Sequence, residues 1–382
     1  MRILHTSDWH IGKKLMGRDR SPEFISVLNE IADICRDERV ELCLVAGDVF
    51  DTYTPAAEAE EIFYNAVKNI ARYCAVLIIS GNHDDYVRLT AAAALAGELG
   101  IYIVGNNLSA IKCKKTGECY PAESDDGWVI FENSKGERVY IDALPYPNEA
   151  RFKEGKSDET FDDKMRRWID FGERGNVAKL PSVFLSHIFA LGGSVDGTER
   201  EIDLGGARLV KTELLPDCDY IALGHLHKRQ RLGKNVYYSG AIMNFSFDEA
   251  APEKSVNIFD LGADGVKNLR LIALKSIKKL VRLQALSAEE GIRLLNENAE
   301  SYAELTLNLS QPLNHTQTVE LHRCANLVSL KTNVEGINYG AVAATRRGKS
   351  ASQLFSDYYK IRYNAEPSAK LKELFLSLTE EE

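Results

Sequence analysis

Five short apolar runs punctuate the first 250 residues, and each ends in small or polar side chains. They read "RILHTSDWH", "ELCLVAGDVFD", "AVLIISGNHDD", "SVFLSHIFA" and "DYIALGHLHK". Each is rich in Val, Ile and Leu and too short for a helix, which predicts buried strands. Between the early runs the apolar spacing changes. From Ser21-Pro22 onward, Phe24, Val27, Leu28 and Ile31 share one helical face. From Thr54-Pro55 onward, Ile62, Phe63, Ala66 and Ile70 do the same. Each segment opens with a capping residue and then proline at the first helical position. Strand–helix alternation predicts an α/β layered fold, in which ligands collect beyond the carboxyl ends of the strands.

Residues 105–160 break this rhythm. "KCKKTGECYPAESDDG" and "ENSKGERVY" are polar and predict a hairpin-bearing excursion. The composition shifts again around Gly262–Lys267. From Lys278 to Val334 the pattern reads β-α-β-α-β, a small second domain. A Gly/Ala/Arg stretch (339–350) follows, then a helical tail. "RRGKS" within that stretch resembles the end of a phosphate loop. The first glycine of such a loop would fall at Ala343, and no strand–loop–helix context surrounds it, so no nucleotide site is assigned there.

The length of 382 residues exceeds one compact domain and predicts a large domain plus a smaller one. Apolar content of 45% and charged content of 27% suit a sizeable core. A net charge of −9 argues against a uniformly basic nucleic-acid binder. It leaves room for a local basic groove, and bound divalent cations would reverse the local field. Seven scattered cysteines without a C-x-x-C pair predict reduced thiols and a cytoplasmic setting. Cys113 and Cys119, the closest pair, complete no zinc pattern. "MRILHTSDWH" enters a strand with no signal-peptide regions, and no apolar stretch approaches the ~20 residues of a membrane span.

At the predicted strand ends stand Asp8, His10, Asp48, Asn82, His83, His187, His225 and His227. They hold five of the eight histidines in the chain. Any one of them alone reads as a turn former or a satisfied polar group. His5, His315 and His322 lack such company and read as structural or surface residues. The set is different, because its members gather at one edge of one sheet. Imidazoles, carboxylates and an amide, with no thiolate, suit manganese, iron or zinc in a mixed N/O site. Seven donors are too many for one catalytic ion and suit two, with Asp48 on a central strand as the bridge. Two divalent ions against two carboxylates leave positive charge for a phosphate. His83 neighbours the ligand Asn82, so its ring can face substrate as an acid or a charge stabiliser. Asp84 follows directly and is read either as the group that orients His83 or as a turn-forming Asp.

D-x-H (Asp8, His10), G-D-x-x-D (Gly47, Asp48, Asp51), G-N-H-D (Gly81 to Asp84), His187 and G-H-x-H (Gly224 to His227) resemble, in order, the calcineurin-like metallophosphoesterase signature. The resemblance implies a layered β-sheet core flanked by helices. It also implies one metal on Asp8, His10, Asp48 and His227, and another on Asp48, Asn82, His187 and His225. "MRILHTSDWHIGK", "VAGDVFDT", "SHIFALGGSVDGTEREIDLGG", "YIALGHLHKRQ" and "YYSGAIMNFSFDE" are similar to the nuclease subunits of bacterial double-strand-break repair complexes. That likeness covers nearly the whole chain and weakens after about residue 270. It implies a nuclease domain (1–268), a small α+β DNA-capping domain (269–340) and a linker with a helical segment (341–382) that docks on an SMC-like ATPase.

The implied reaction is phosphodiester hydrolysis with two divalent ions, manganese expected. A metal-activated water would attack phosphorus in line. The substrates would be double-strand DNA ends, as an exonuclease, and hairpins or single strands, as an endonuclease, in DNA repair, recombination and replication. A homodimer within a heterotetramer is implied, with ATP control supplied by the partner. "HKRQR" places Lys228, Arg229 and Arg231 beside the metals, read as phosphate contacts or as a solvated surface. "SGAIMN" stands where that family has a Gly-Ser-Pro-like run, so no substrate contact is assigned to Ala241–Asn244. Asp85 stands where serine is common and receives no role. Two other readings remain: a phosphatase of a small phosphomonoester, and a metal-stabilised scaffold without catalysis. The first leaves the second domain and tail unexplained. The second leaves an intact ligand set unexplained.

Overall fold

The computed structural model describes residues 1–152, 158–194, 209–249, 253–275, 278–335, 350–363 and 366–379. The chain opens with β1 (Arg2–Thr6), α1 (Ser21–Asp37), β2 (Leu42–Ala46), α2 (Ala57–Ile70), β3 (Ala75–Ile79), the short α3 (Tyr86–Thr90) and α4 (Ala93–Gly97), and β4 (Ile101–Val104). It continues through β5 (Cys119–Asp125), β6 (Trp128–Asn133), β7 (Arg138–Leu144), α5 (Phe161–Glu173) and β8 (Ser182–His187). The two-residue β9 (Phe189–Ala190) and β10 (Leu209–Val210) pair with each other. Then come β11 (Tyr220–Gly224), β12 (Gln230–Leu232), β13 (Val236–Tyr238), β14 (Ser255–Gly262) and β15 (Gly265–Ala273).

Two sheets form the core. The first has the order β15-β14-β1-β2-β3-β4, and the second β12-β13-β11-β8-β7-β6-β5. Strands β1 to β4 run parallel, as do β7, β8, β11 and β13. β2, β3 and β11 are buried along their whole length, which explains their continuous apolar runs. Leu42, Leu44, Leu77 and Ile79 of the first sheet meet Phe131, Ile141, Val183 and Leu185 of the second in one apolar layer. Phe24, Val27, Ile31, Phe63 and Val67 of α1 and α2 cover the other face of the first sheet. Met165, Trp168 and Ile169 of α5 cover the second. The layering is therefore helix, sheet, sheet, helix.

Two expectations shift. Residues 105–160 are no excursion. Their hairpins supply β5, β6 and β7, and β7 lies inside the second sheet against β8. The charged turns around these strands masked the buried run "VYIDAL". The helices also start differently. Arg20 occupies the cap of α1, with the proline in its first turn. α2 begins at Ala57, two residues beyond Pro55, with Ala56 at its cap.

The predicted β-α-β-α-β run appears as β16 (Leu280–Ala285), α6 (Ala288–Glu297), β17 (Tyr302–Leu309), α7 (His315–Arg323) and β18 (Leu327–Val334). Its strands order as β16-β17-β18. α8 (Ala351–Tyr363) and α9 (Ala369–Thr379) form the tail, with Phe355 stacked on Phe375 at 4.2 Å. Contacts divide the chain into two compact units. The first holds residues 1–282, 297–304 and 325–329, and the second 283–296, 305–324 and 330–382. Of "RRGKS", all but Ser350 lies outside the described residues. So does part of the stretch after His187. Among the described residues no helix is long and apolar enough to cross a membrane.

Phe131 is fully buried between the sheets, with its ring edge-on to Tyr102 at 5.5 Å. Phe131→Ala should destabilise the chain by about 3–5 kcal/mol in urea unfolding. A loss below about 1 kcal/mol would show that the inter-sheet layer tolerates the cavity.

Candidate metal centre

The predicted residues follow the carboxyl ends of five strands. Asp8 and His10 follow β1, Asp48 follows β2, and Asn82 and His83 follow β3. His187 ends β8, and His225 and His227 follow β11. The structure brings all eight together, from the strand ends of two facing sheets rather than one. Asp8, His10, Asp48, His187 and His227 are almost wholly buried.

The loops that carry them are tightly folded. Asp8, His10, Asp48 and His225 take positive φ values of 51°, 46°, 50° and 102°. L-residues rarely adopt this region, and such strain gathers at functional sites. Glycines allow the close approach. A Cβ on Gly81 would lie 2.1 Å from Asp48 Oδ1, and one on Gly224 would lie 1.9 Å from the Ala46 carbonyl.

Two groups of donors form around Asp48. In one, His10 Nε2 and His227 Nε2 stand 3.0 Å apart, and Asp8 lies within ligand reach of both. In the other, Asn82 Oδ1 is 2.9 Å from His187 Nε2 and 3.0 Å from His225 Nδ1. Asp48 Oδ1 accepts the His83 backbone N–H at 2.8 Å. Its Oδ2 is 3.6 Å from His10 Nε2, 3.4 Å from His187 Nε2 and 4.0 Å from His83 Nε2.

Burial dominates the titration. It raises Asp8 to about 7, against the favourable field of His187. It pushes His10 and His227 well below the ordinary imidazole value and takes His225 to about 3. Burial would also raise Asp48, but the fields of His187 and His83 hold it well below the carboxylate range. His187 is the counterpart. Burial opposes its charge, yet Asp48 lifts it to about 9. Asp48 and His187 thus form an ion pair beside the rings of His10, His225 and His227, which burial keeps unprotonated.

This donor set fits divalent ions. His10 Nε2 and His227 Nε2 face each other at 3.0 Å, and with the ring protons on Nδ1 their lone pairs converge on one cation. His187 Nδ1 donates to the Ala46 carbonyl at 2.8 Å, which aims Nε2 into the pocket. Asp8 Oδ1 accepts the His225 N–H at 2.9 Å, and Ser7 Oγ donates to its Oδ2.

His83 and Asp84 behave differently from each other. His83 Nδ1 donates to the Asp51 carbonyl at 2.7 Å, which turns Nε2 toward Asp48. The Asp84 carboxylate accepts backbone N–H groups from Gly81, Phe50 and Val49 at 2.8, 3.0 and 3.2 Å. The contact that orients the His83 ring therefore comes from Asp51, while Asp84 ties two loops together. Asp85 caps α3 by accepting from Val87 N and Arg88 N. Ala241, Ile242 and Met243 are fully buried in the core.

Of the basic candidates, Lys228 and Arg231 are exposed and Arg229 is half-buried. The Arg231 guanidinium bonds the Lys234 carbonyl and lies 5.3 Å from the Tyr237 ring centre. Several supporting residues escaped the sequence reading. Phe245 packs edge-on against His10 and His227 at 5.2 and 5.5 Å. Buried Lys254 donates to Glu249 at 2.7 Å and to the His227 carbonyl at 3.3 Å. Lys13 pairs with Asp51 at 2.8 Å. Arg151 holds the loop after β3. Phe245, Glu249 and Lys13 lie in stretches that carry the family likeness, but no spacing there or around Lys254 and Arg151 gives these contacts.

The profile of the calcineurin-like phosphoesterase family matches residues 1–229. The SbcD component of nuclease SbcCD from Bacillus subtilis (strain 168) is 34% identical over 399 residues, covering 99% of this chain and 97% of the relative. The SbcD component from Rhodobacter capsulatus is 32% identical, covering 75% and 72%. The one from Escherichia coli (strain K12) is 28% identical, covering 71% and 68%.

Two outcomes are expected in metal-binding titrations. On the expectation of two ions bridged by Asp48, Asp48→Ala should lose both, because its Oδ2 faces both donor groups. Full occupancy in that variant would refute the bridge. Loading should also release protons at pH 7, since Asp8 and His187 keep theirs to about 7 and about 9. Affinity should therefore climb from pH 7 to pH 9. Calorimetry in two buffers of different protonation enthalpy reads this directly, and identical heats would contradict it.

Proposed function

The chain belongs to the calcineurin-like phosphoesterase family and, within it, to the SbcD nuclease family, and we propose that it is the nuclease subunit of an ATP-regulated SbcCD-type complex. Its substrates are double-stranded DNA ends and hairpins. It acts as an exonuclease on the former and as an endonuclease on hairpins and single strands. The observation that carries this reading is the convergence of donors from five strand ends around the Asp48 carboxylate.

The site would hold two divalent ions, manganese first among them. Asp8, His10, Asp48 and His227 take one, and Asp48, Asn82, His187 and His225 take the other. When bound, such ions supply Lewis acidity toward the phosphate and acidify a water at neutral pH. The chain's own residues do the rest. Asp48 fixes the spacing of the two donor groups. His83, held through Nδ1 by the Asp51 carbonyl, offers Nε2 to the departing oxygen or to the charge that develops there. Lys228, Arg229 and Arg231 are assigned to phosphate contact. They would position the duplex without reading its sequence.

Residues 269–340 are assigned to DNA capping, and residues 341–382 to docking on an SbcC-type SMC-like ATPase. A homodimer within a heterotetramer completes the assembly, and ATP control comes from the partner.

The test is a linear duplex with one hairpin end, incubated with the purified chain with and without manganese and followed at nucleotide resolution. Manganese-dependent end trimming and hairpin opening are expected. Hydrolysis of a small phosphomonoester with no DNA cleavage would keep the metal site and discard the DNA assignment. His83→Ala should retain both ions yet lose turnover by ~10²–10⁴-fold. An equal fall in metal content would move His83 into the ligand set.

A further inference from the structure

The loop Gly81–Asp84, which carries Asn82 and His83, is gripped from two sides. On one side the Asp84 carboxylate collects N–H groups from Gly81, Val49 and Phe50. On the other side a guanidinium collects carbonyls. Arg151 Nη1 donates to Gly81 O at 2.8 Å, and its Nη2 donates to Asp84 O at 2.8 Å and to Asn82 O at 3.4 Å. Ser80 Oγ and the Tyr53 hydroxyl lie 3.4 and 3.3 Å from the same nitrogens. The rings of Tyr146, Tyr86 and Tyr53 surround Cζ at 5.3, 5.8 and 6.0 Å.

Arg151 is only 7% exposed, and among the described residues no carboxylate forms an ion pair with it. A buried cation without a counter-ion is costly. Here neutral carbonyls and aromatic faces surround the cation. The planar fork is what makes this possible. It reaches two carbonyls three residues apart at once, which a point charge does less well. Fixing the carbonyls of Gly81 and Asn82 fixes the two peptide planes that flank Asn82. Those planes aim the Asn82 amide oxygen at His187 and His225.

We propose that Arg151 is a positioning residue for the ion held by Asn82, His187 and His225. It sets the Gly81–Asp84 loop and makes no hydrogen bond to Asp8, His10 or His227. The inference rests on the two-ion reading given above. It adds a residue outside every motif of the chain and an asymmetry between the two ions.

Manganese titration of the full-length chain tests it, with stoichiometry and both affinities read, together with the melting temperature of the metal-free protein. The variants are Arg151→Met, which keeps length without donors, and Arg151→Lys, which keeps charge without the fork. The parent should bind two ions. Arg151→Met should weaken one of them by ~10–100-fold, the range seen when partners behind a ligand are removed. The other ion should stay within about twofold of the parent. Arg151→Lys should recover only part of the loss. If the methionine variant does not fold, the lysine variant decides by the same split.

Parental affinity at both sites in the variants would overturn the proposal. So would an equal loss at both sites that follows the melting temperature, because Arg151 would then support the fold at large. A parent that binds fewer than two ions would overturn the two-ion reading itself, and this inference with it.

Discussion

The Asp48 carboxylate is where the two sheets must agree. One oxygen accepts a backbone N–H from the loop after β3. The other faces imidazoles from the ends of β1, β3 and β8. A carboxylate so deeply buried is tolerated only when cations or strong donors surround it. His187 fills that role by keeping a proton. An ion would take the same place with more charge. The apolar layer between the sheets thus ends at a point where positive charge is required, and every loop at that edge is shaped to deliver donors to it.

That shaping has a local cost. Four of the donors sit at positive φ, each worth of order 1–3 kcal/mol of backbone strain. The strain persists because regular structure fixes both ends of each loop. The loops after β1 and β2 are stitched together by Asp8 N to Gly47 O, His10 N to Asp48 O and Ile11 N to Val49 O, all near 3.0 Å. Gly81 and Gly224 remove the Cβ atoms that would otherwise keep the loops apart. The site is therefore preorganised by the backbone, and the rings need little reordering to accept an ion.

The strands of the core were legible because parallel strands buried on both faces write themselves as unbroken Val/Ile/Leu runs. The donors were legible because polar residues at the ends of such runs stand out. β7 was hidden, since "RVYIDAL" mixes charge with apolar residues inside a polar region. Its Asp142 is a buried carboxyl that burial pushes well above its ordinary value. The start of α2 was misjudged because a Thr-Pro pair suits a turn as well as a cap, and the residues after it decide which. The supports were illegible for a different reason. Phe245, Lys254, Glu249 and Arg151 act through contacts that span up to more than two hundred residues, and no local spacing encodes such a contact. Asp84 shows the same limit inside a motif. Its position was plain, but its task, accepting N–H groups from two loops, depends on where β2 ends.

The balance of charge gives the arrangement its direction. The whole chain carries −9, and the pocket holds two carboxylates, so the bare protein offers a polyanion little attraction there. Lys228 and Arg231 are exposed, but the Arg231 guanidinium is already engaged by Tyr237 and the Lys234 carbonyl. A phosphate that approaches this edge would find its strongest attraction in the ions themselves. On the proposed reading, ion loading and phosphate binding are one electrostatic event rather than two. The field that draws the backbone of DNA is then centred on the scissile bond, where Asp48 and His83 already point. A uniformly basic surface would hold DNA at many places along the chain. On the same reading, a neutral or acidic surface with cations at one edge would hold it where hydrolysis occurs.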